Sequence, residues 1–328
     1  MKSCWILDTN GDPLETVRQF LSDVWASARL DGMLVPVYQE GGASVAPRLV
    51  GDPAGLAFSD PFAPLMPVNA AGLAPQIVDS HPQGRFGAVL RSCEARALRT
   101  IVEQNRLSLG QWLVIGVDCL ASFSAADFEW RLGKTHRVEA LTREALRFAR
   151  QGGIAPHRFR DACQMCPSPA AQCADLTIEL LGLPVRQFVL VSARDEALAR
   201  SLHLEEITDG ETPEPWVARR EATVDLIAER HRHSLAKKIQ ALSEQAPAEL
   251  EALLVHIANC APCQSCLDAC PLYTGDFLPA ESGDFHTMEA ARAWLERCVA
   301  CGMCEEACPD HMPLTAILAH IAHPVVVH

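Results

Sequence analysis

Residues 260–271 read CAPCQSCLDACP, and residues 298–309 read CVACGMCEEACP. Both stretches follow the pattern C-x2-C-x2-C-x3-C-P, in which cysteine thiolates bind the iron atoms of [4Fe–4S] clusters. Three cysteines spaced three residues apart let one turn of chain reach three corners of a cubane. The fourth cysteine, followed by proline, directs the chain away. The duplicated run therefore predicts two [4Fe–4S] clusters in the last quarter of the chain.

The fourth cysteine of each run is expected to bind the cluster of the other run. Two structural zinc sites are the alternative. Zinc uses two C-x-x-C pairs per ion and has no role for a third cysteine at +6 or for the Cys-Pro ending, so iron is favoured. One cluster would then be held by Cys260, Cys263, Cys266 and Cys308, and the other by Cys298, Cys301, Cys304 and Cys270.

The sequence before these runs predicts an α/β fold. A strand at 86–90, a helix at 94–104 and a strand at 112–117 form a βαβ pattern, and 188–191 is a further strand. Nearer the N-terminus, 14–28 is typical of a helix and 33–38 of a strand. We predict an α/β domain with a mainly parallel sheet over 1–210, a long charged helix or linker over 211–245, and a small, mostly helical ferredoxin-like domain over 246–328.

Four more cysteines could form a third site. Cys93 and Cys119 each follow a predicted parallel strand, where open α/β sheets place their ligand sites. Cys93 also lies at a predicted helix N-terminus, which favours a thiolate. Cys163 and Cys166 add a C-x-x-C pair. These four could hold a third [4Fe–4S] cluster, or they could be ordinary buried cysteines and an unrelated pair; Cys4 and Cys173 look like spare thiols.

Composition and charge exclude several classes of protein. With 49% hydrophobic and 21% charged residues the chain is an ordinary globular protein. Because it shows neither a signal peptide nor an apolar run of bilayer length, we expect a cytoplasmic protein with reduced thiols. Residues 246–328 carry eleven acidic and two basic residues. This disfavours nucleic-acid binding and suits docking against a basic face of a partner, or simply aids solubility.

Three stretches together resemble one family: GAVLRSCEARAL at 87–98, WLVIGVDC at 112–119 and CQMC at 163–166. They are similar to the β subunits of deazaflavin-linked formate dehydrogenases and hydrogenases. The resemblance implies a cluster on Cys93, Cys119, Cys163 and Cys166, an FAD, and a catalytic partner subunit. Gly11-Asp12-Pro13-Leu14 stands where the family has a Gly-Gly pair near its flavin, so FAD is supported less well than the clusters.

Two other groups of residues have side chains that could bind ligands. Arg91 and Arg96 flank Cys93 and could contact a flavin phosphate or the charge of a cluster, or could form surface salt bridges. His231 and His233 face different ways on a helix, so we expect them to be solvated rather than to bind metal. The 27 residues between Cys270 and Cys298, with a helix pattern at 288–297, resemble the helical ferredoxin domains of heterodisulfide reductase and succinate dehydrogenase iron–sulfur subunits.

The sequence thus predicts an iron–sulfur electron-transfer subunit of an oxidoreductase, relaying electrons between a catalytic subunit and a flavin, deazaflavin or other acceptor. Two alternatives stay open: a stand-alone flavin-dependent reductase, and a ferredoxin-like adaptor without catalysis. The sequence contains no motif for nucleotide triphosphate hydrolysis and none of the common hydrolase motifs.

Overall fold

The computed structural model describes residues 4–105, 109–151, 159–242, 246–260, 263–273 and 285–322. Seven strands in these ranges form one sheet. They are β1 (Cys4–Asp8), β2 (Gly32–Tyr38), β3 (Val45–Val50), β4 (Phe86–Arg91), β5 (Trp112–Val117), β6 (Leu176–Glu179) and β7 (Phe188–Ala193). Their order across the sheet is β1-β7-β6-β5-β4-β2-β3.

The centre of the sheet is parallel. Strands β2, β4, β5 and β6 pair in parallel, whereas β3 pairs antiparallel with β2, and β7 pairs antiparallel with both β6 and β1. The predicted α/β domain with a mainly parallel sheet is therefore confirmed. Parallel strands lie buried between helices on both faces, and all residues of β4 and β5 are buried.

Alternate residues of the central strands face two separate apolar layers. Val89 and Ile115 belong to the layer that contains β1, β7 and the first helix. Ala88 and Val114 point to the opposite layer, which also holds residues from the C-terminal part of the chain, such as Leu253. This alternation follows from the two-residue period of a strand.

Helices cover both faces of the sheet. Those of the α/β part are α1 (Pro13–Ala28), α2 (Ala74–Ser80), α3 (Ser92–Asn105), α4 (Ala125–Thr135), α5 (Val138–Arg147), α6 (Asp161–Met165), α7 (Glu196–Ser201) and α8 (Leu204–Ile207). A long helix, α9 (Glu214–Gln240), follows. It begins three residues after the start of the segment predicted over 211–245. Residues 243–245 of that segment lie outside the described residues.

The C-terminal part is mostly helical, as predicted. Its helices are α10 (Leu250–Asn259), α11 (Ser265–Asp268), α12 (Phe285–Glu296), α13 (Met303–Glu306) and α14 (Leu314–Ala322). Apolar residues of α10, α12 and α14 share one buried layer with α3 and the sheet. The division of the chain at 210 and 246 stays a prediction. Within the described residues, no helix combines the length and apolarity needed to cross a membrane.

Helix α9 joins the two parts. Near its start Arg220 donates to Asp118, which follows β5, and pairs with Glu179 of β6. Near its end Lys238 pairs with Asp161 of α6, and Ile239 packs with residues of α6 and α14. The helix therefore fixes the position of α6 relative to the carboxyl edge of the sheet.

Candidate metal centres

Cys93 and Cys119 lie at the same edge of the sheet. Helix α3 begins directly after β4, so Cys93 is its second residue, and Cys119 comes two residues after β5. The two strands are adjacent and parallel, with Arg91 opposite Val117 at their ends. Since parallel strands end at one edge, the structure brings the two cysteines together there.

The C-x-x-C pair returns to this edge on helix α6. The amide of Arg160 donates to the carbonyl of Ser122, and the amide of Cys119 donates to the carbonyl of Pro169, at 2.9 and 2.8 Å. On the other side His231 Nδ1 of α9 lies 2.6 Å from the carbonyl oxygen of Cys166. The expectation that His231 is solvated was wrong: it is partly buried and bonds to the cysteine loop.

Cys93, Cys119, Cys163 and Cys166 lie close enough to interact electrostatically, and we call them the sheet-edge site. Burial raises the pKa of Cys93 well above its usual value, and Glu94 and Cys119 raise it further. Burial and then Cys163 raise the pKa of Cys119 to about 12. The expected helix-terminus effect on Cys93 is therefore outweighed. Four partly buried thiols suit a metal cluster, whose positive iron ions take up the negative charges of the thiolates.

Cys270, Cys298, Cys301 and Cys304 line one small cavity of about 20 Å³; we call them the inner site. Trp294 Nε1 donates to Cys270 Sγ, and the amide of Ala300 donates to Cys298 Sγ, both at 3.4 Å. Burial, together with smaller contributions from Cys301 and Cys270, raises the pKa of Cys298 to about 11, although the hydrogen bond from Ala300 opposes the shift. Cys270 thus lies with the cysteines of the second run, the neighbour set that crossed ligation requires.

Cys260, Cys263, Cys266 and Cys308 form the outer site. Cys308 of the second run is close enough to raise the pKa of both Cys260 and Cys266, after burial. Cys263 is solvent-exposed. Hydrogen bonding to Ser265, whose Oγ is 3.2 Å from the sulfur, lowers the pKa of Cys263. This set again matches the crossed pattern, but it faces solvent.

In the described part of the chain, no three His, Cys, Asp or Glu side chains are close enough to hold one metal ion. A cubane places each thiolate on a different iron atom, so its ligands stand farther apart than those of a single ion. Each of the three sets consists of cysteines alone, and N–H groups donate to two sulfurs of the inner site. Both features fit [4Fe–4S] clusters. Which cysteines bind iron stays a prediction.

Three arginines surround the sheet-edge site. Arg91 is 6% exposed, and its Nη2 donates to the carbonyls of Ala63 and Leu65 at 2.5 and 2.9 Å. Its side chain also pairs with buried Glu94, 3.6 Å away. The surface salt-bridge alternative for Arg91 is thus wrong. The Nε and Nη2 atoms of Arg96 are also buried. Sequence reasoning missed the third arginine, Arg160; its place just before the C-x-x-C helix was the only available signal.

The residues near the expected flavin site do not fit a whole FAD. Gly11 and Asp12 end the turn between β1 and α1, beside a cleft of about 160 Å³ also lined by Arg143, Arg147 and Arg186. Ligand pockets usually measure about 300–1,000 Å³. Asp12 caps α1 and pairs with Arg143 at 2.9 Å, which places a negative charge at the helix terminus. FAD binding stays a prediction.

Comparison with known proteins agrees with this description. Residues 253–309 match the family described as 4Fe-4S dicluster domain. The structure is similar to a chain of the F420-reducing [NiFe] hydrogenase complex from Methanosarcina barkeri, with a TM-score of 0.53 and 11% sequence identity. The match covers 75% of this chain and 93% of that chain, and at this identity it shows a shared fold. A search of curated proteins found no match.

Proposed function

We propose that this chain is the iron–sulfur electron-transfer subunit of a cytoplasmic oxidoreductase, similar to the β subunits of deazaflavin-linked formate dehydrogenases and hydrogenases. It would hold three [4Fe–4S] clusters, at the sheet-edge, inner and outer sites. The dicluster match supports two of them. The fold shared with a chain of a hydrogenase complex supports a place in a multisubunit enzyme.

The observation that carries the proposal is the contact between the sheet-edge site and the inner site. Cys301 is near enough to raise the pKa of Cys93, although burial and Glu94 contribute more. Arg160 donates to sulfur and oxygen atoms on both sides of this contact. The inner site thus lies beside the sheet-edge site, while the outer site shares its two cysteine runs and faces solvent. When bound, clusters of this type accept and release electrons one at a time.

The protein's own residues keep this path dry and ordered. Trp294 covers the inner cavity, donates to Cys270 and is 6% exposed. Val299 and Leu318 close the same cavity with apolar surface. Hydrogen bonds to the sulfurs and exclusion of water are the means by which proteins adjust the potentials of such clusters.

We infer that a partner subunit docks at the outer site. Exposed Asp268 and Asp310 are close enough to affect the pKa of Cys263. An acidic rim around an exposed site complements a basic face of a partner. The resemblance supports a metal-containing catalytic subunit as that partner, with the acceptor at the carboxyl edge of the sheet.

Anaerobic purification of the full chain tests the proposal. We expect about twelve iron and twelve acid-labile sulfide atoms per chain, and a redox subunit that co-purifies and is identified by mass spectrometry. A zinc-loaded, iron-free chain would contradict it. Bound FAD with turnover of a substrate by the chain alone would favour the stand-alone reductase. Twelve irons without flavin or any catalytic partner would favour the adaptor.

A further inference from the structure

We propose that Arg96 and Arg160 form a cationic bridge between the sheet-edge site and the inner site and set the reduction potentials of the clusters at both. This inference rests on the proposed function. It concerns two guanidinium groups with buried nitrogen atoms. Each of the two positive charges lies near cysteines of both sites.

Arg160 touches both sites directly. Its Nη2 lies 3.9 Å from Cys163 Sγ of the sheet-edge site and 3.5 Å from the carbonyl oxygen of Cys301 of the inner site. Its Nη1 lies 3.4 Å from the Met303 sulfur. The residue is only 6% exposed, so water screens its charge little. Cys93, a second cysteine of the sheet-edge site, also lies near this guanidinium.

Arg96 reaches the same junction from the other side. It lies on α3, one turn after Cys93. The Arg96 side chain forms a hydrogen bond with Cys166 of the sheet-edge site, and its guanidinium also lies near Cys298 of the inner site. Arg96 therefore also acts on one cysteine of the sheet-edge site and one of the inner site.

The hydrogen bonding of Arg96 points to a missing negative group. The Arg96 guanidinium is hydrogen-bonded to Cys166, but its Nε and Nη2 atoms are buried and have no partner among the described residues. Buried guanidinium nitrogens that lack a hydrogen-bond acceptor are costly. A cubane with four thiolate ligands is an anion, so clusters on either side of Arg96 would supply the negative charge that its donors lack. Arg160 Nε, which is also buried without a partner in the described part of the chain, fits the same explanation.

Reduction adds a negative charge to a cluster, and a nearby cation stabilises that form most. Replacing either arginine by neutral glutamine should therefore make reduction harder at both junction clusters. The outer site, whose Cys260 and Cys263 are affected by Asp310 rather than by these arginines, should change less. A merely structural role would predict lost iron or lost stability without this distribution of potentials.

The test is a redox titration of the anaerobic full chain, followed by EPR spectroscopy. R96Q and R160Q should each lower the reduction equilibrium constant of the junction clusters about tenfold, which for one electron is 59 mV. R96K and R160K should recover part of the shift and serve as variants that retain the charge. R99Q is the matched control, because Arg99 is exposed on the same helix.

Glutamine variants that keep their iron and titrate like R99Q would overturn the proposal. So would lysine variants that shift the potentials as far as the glutamine variants do. Iron analysis distinguishes failure of this proposal from failure of the proposed function. If the chain holds about eight irons because the sheet-edge cluster is missing, R160Q should still shift the inner cluster, and an unchanged inner cluster would again overturn the bridge.

Discussion

Gly302 and Ala162 approach so closely that a Cβ built on Gly302 would lie 2.2 Å from the Ala162 Cβ. Gly302 belongs to the second cysteine run, and Ala162 precedes Cys163 on α6. The glycine also has φ of +70°, in the left-handed region that glycine adopts readily. This contact lets the backbone of the inner site lie against the helix that carries the sheet-edge C-x-x-C pair.

Gly302→Ala should destabilise this junction. The clash with Ala162 adds to a cost of about 1–2 kcal/mol for a left-handed alanine. We expect a lower apparent Tm and loss of iron during anaerobic gel filtration. Gly133→Ala is the matched control: Gly133 lies in α4 with nothing near its Cβ position, so the change should be neutral or stabilising. A G302A variant as stable as G133A would contradict the close contact.

Cys93→Ser and Cys119→Ser should each remove about four irons per chain and leave about eight. Cys173→Ser is the control, because Cys173 packs against the apolar layer beside α3. Iron and sulfide analysis of anaerobically purified variants measures the loss. If Cys173→Ser loses iron while the other two keep it, Cys173 is the ligand and the sheet-edge assignment is wrong.

Arg220→Ala should destabilise the fold by about 3–5 kcal/mol, because it leaves two buried carboxylates without their cation. Asp118 is fully buried and also accepts from the amides of Leu180 and Leu181, at 2.9 and 3.1 Å. Arg232→Ala on the same helix removes an exposed pair with Glu229 and should cost about 0.5 kcal/mol or less. Denaturant unfolding at matched iron content measures the free energy of unfolding of the two variants. An equal loss in both would mean that the buried ion pair contributes nothing to stability.

Asp60 should make stability depend on pH. The side chain is fully buried, and burial raises its pKa to about 6, although hydrogen bonds from Thr142 and Tyr38 oppose the shift. A raised carboxyl pKa stabilises the fold below the unfolded value of 3.8, and this contribution is lost as pH rises through about 6.

From pH 5 to 7 the wild type should therefore lose about 1 kcal/mol relative to Asp60→Asn. Unfolding of both proteins across this range measures the difference. Parallel pH profiles would show that Asp60 has an ordinary pKa.

Salt should slow electron transfer at the outer site. With dithionite-reduced protein and a small basic cytochrome as probe, the rate should fall between 0.01 and 1 M salt, where the Debye length shrinks from about 30 to about 3 Å. Asp268→Asn and Asp310→Asn should weaken this dependence. Asp225→Asn, exposed on α9, is the control. A salt-independent rate, or equal effects of all three variants, would rule out docking at this acidic rim.

The sequence by itself determined the features that depend on residues close together along the chain, namely the cysteine runs and the most apolar strands. Ligand spacing within each cysteine run spans about one turn of chain, so the runs could be recognised without a structure. Strands β4, β5 and β7 are continuous apolar runs because both their faces are buried. Strand β6 was missed, since Glu179 looks like a surface residue until Arg220, 41 positions later, pairs with it.

Only the tertiary structure decided which segments far apart in the sequence come into contact. Spacing alone left open whether Cys163 and Cys166 join Cys93 and Cys119 or form an unrelated pair. Their approach to these two cysteines depends on how α9 holds α6 against the sheet edge. The contacts of Arg160 with Cys301 and Met303, about 140 residues away, likewise depend on tertiary packing. Such contacts are set by the packing of whole elements, so no periodicity or motif around either partner encodes them.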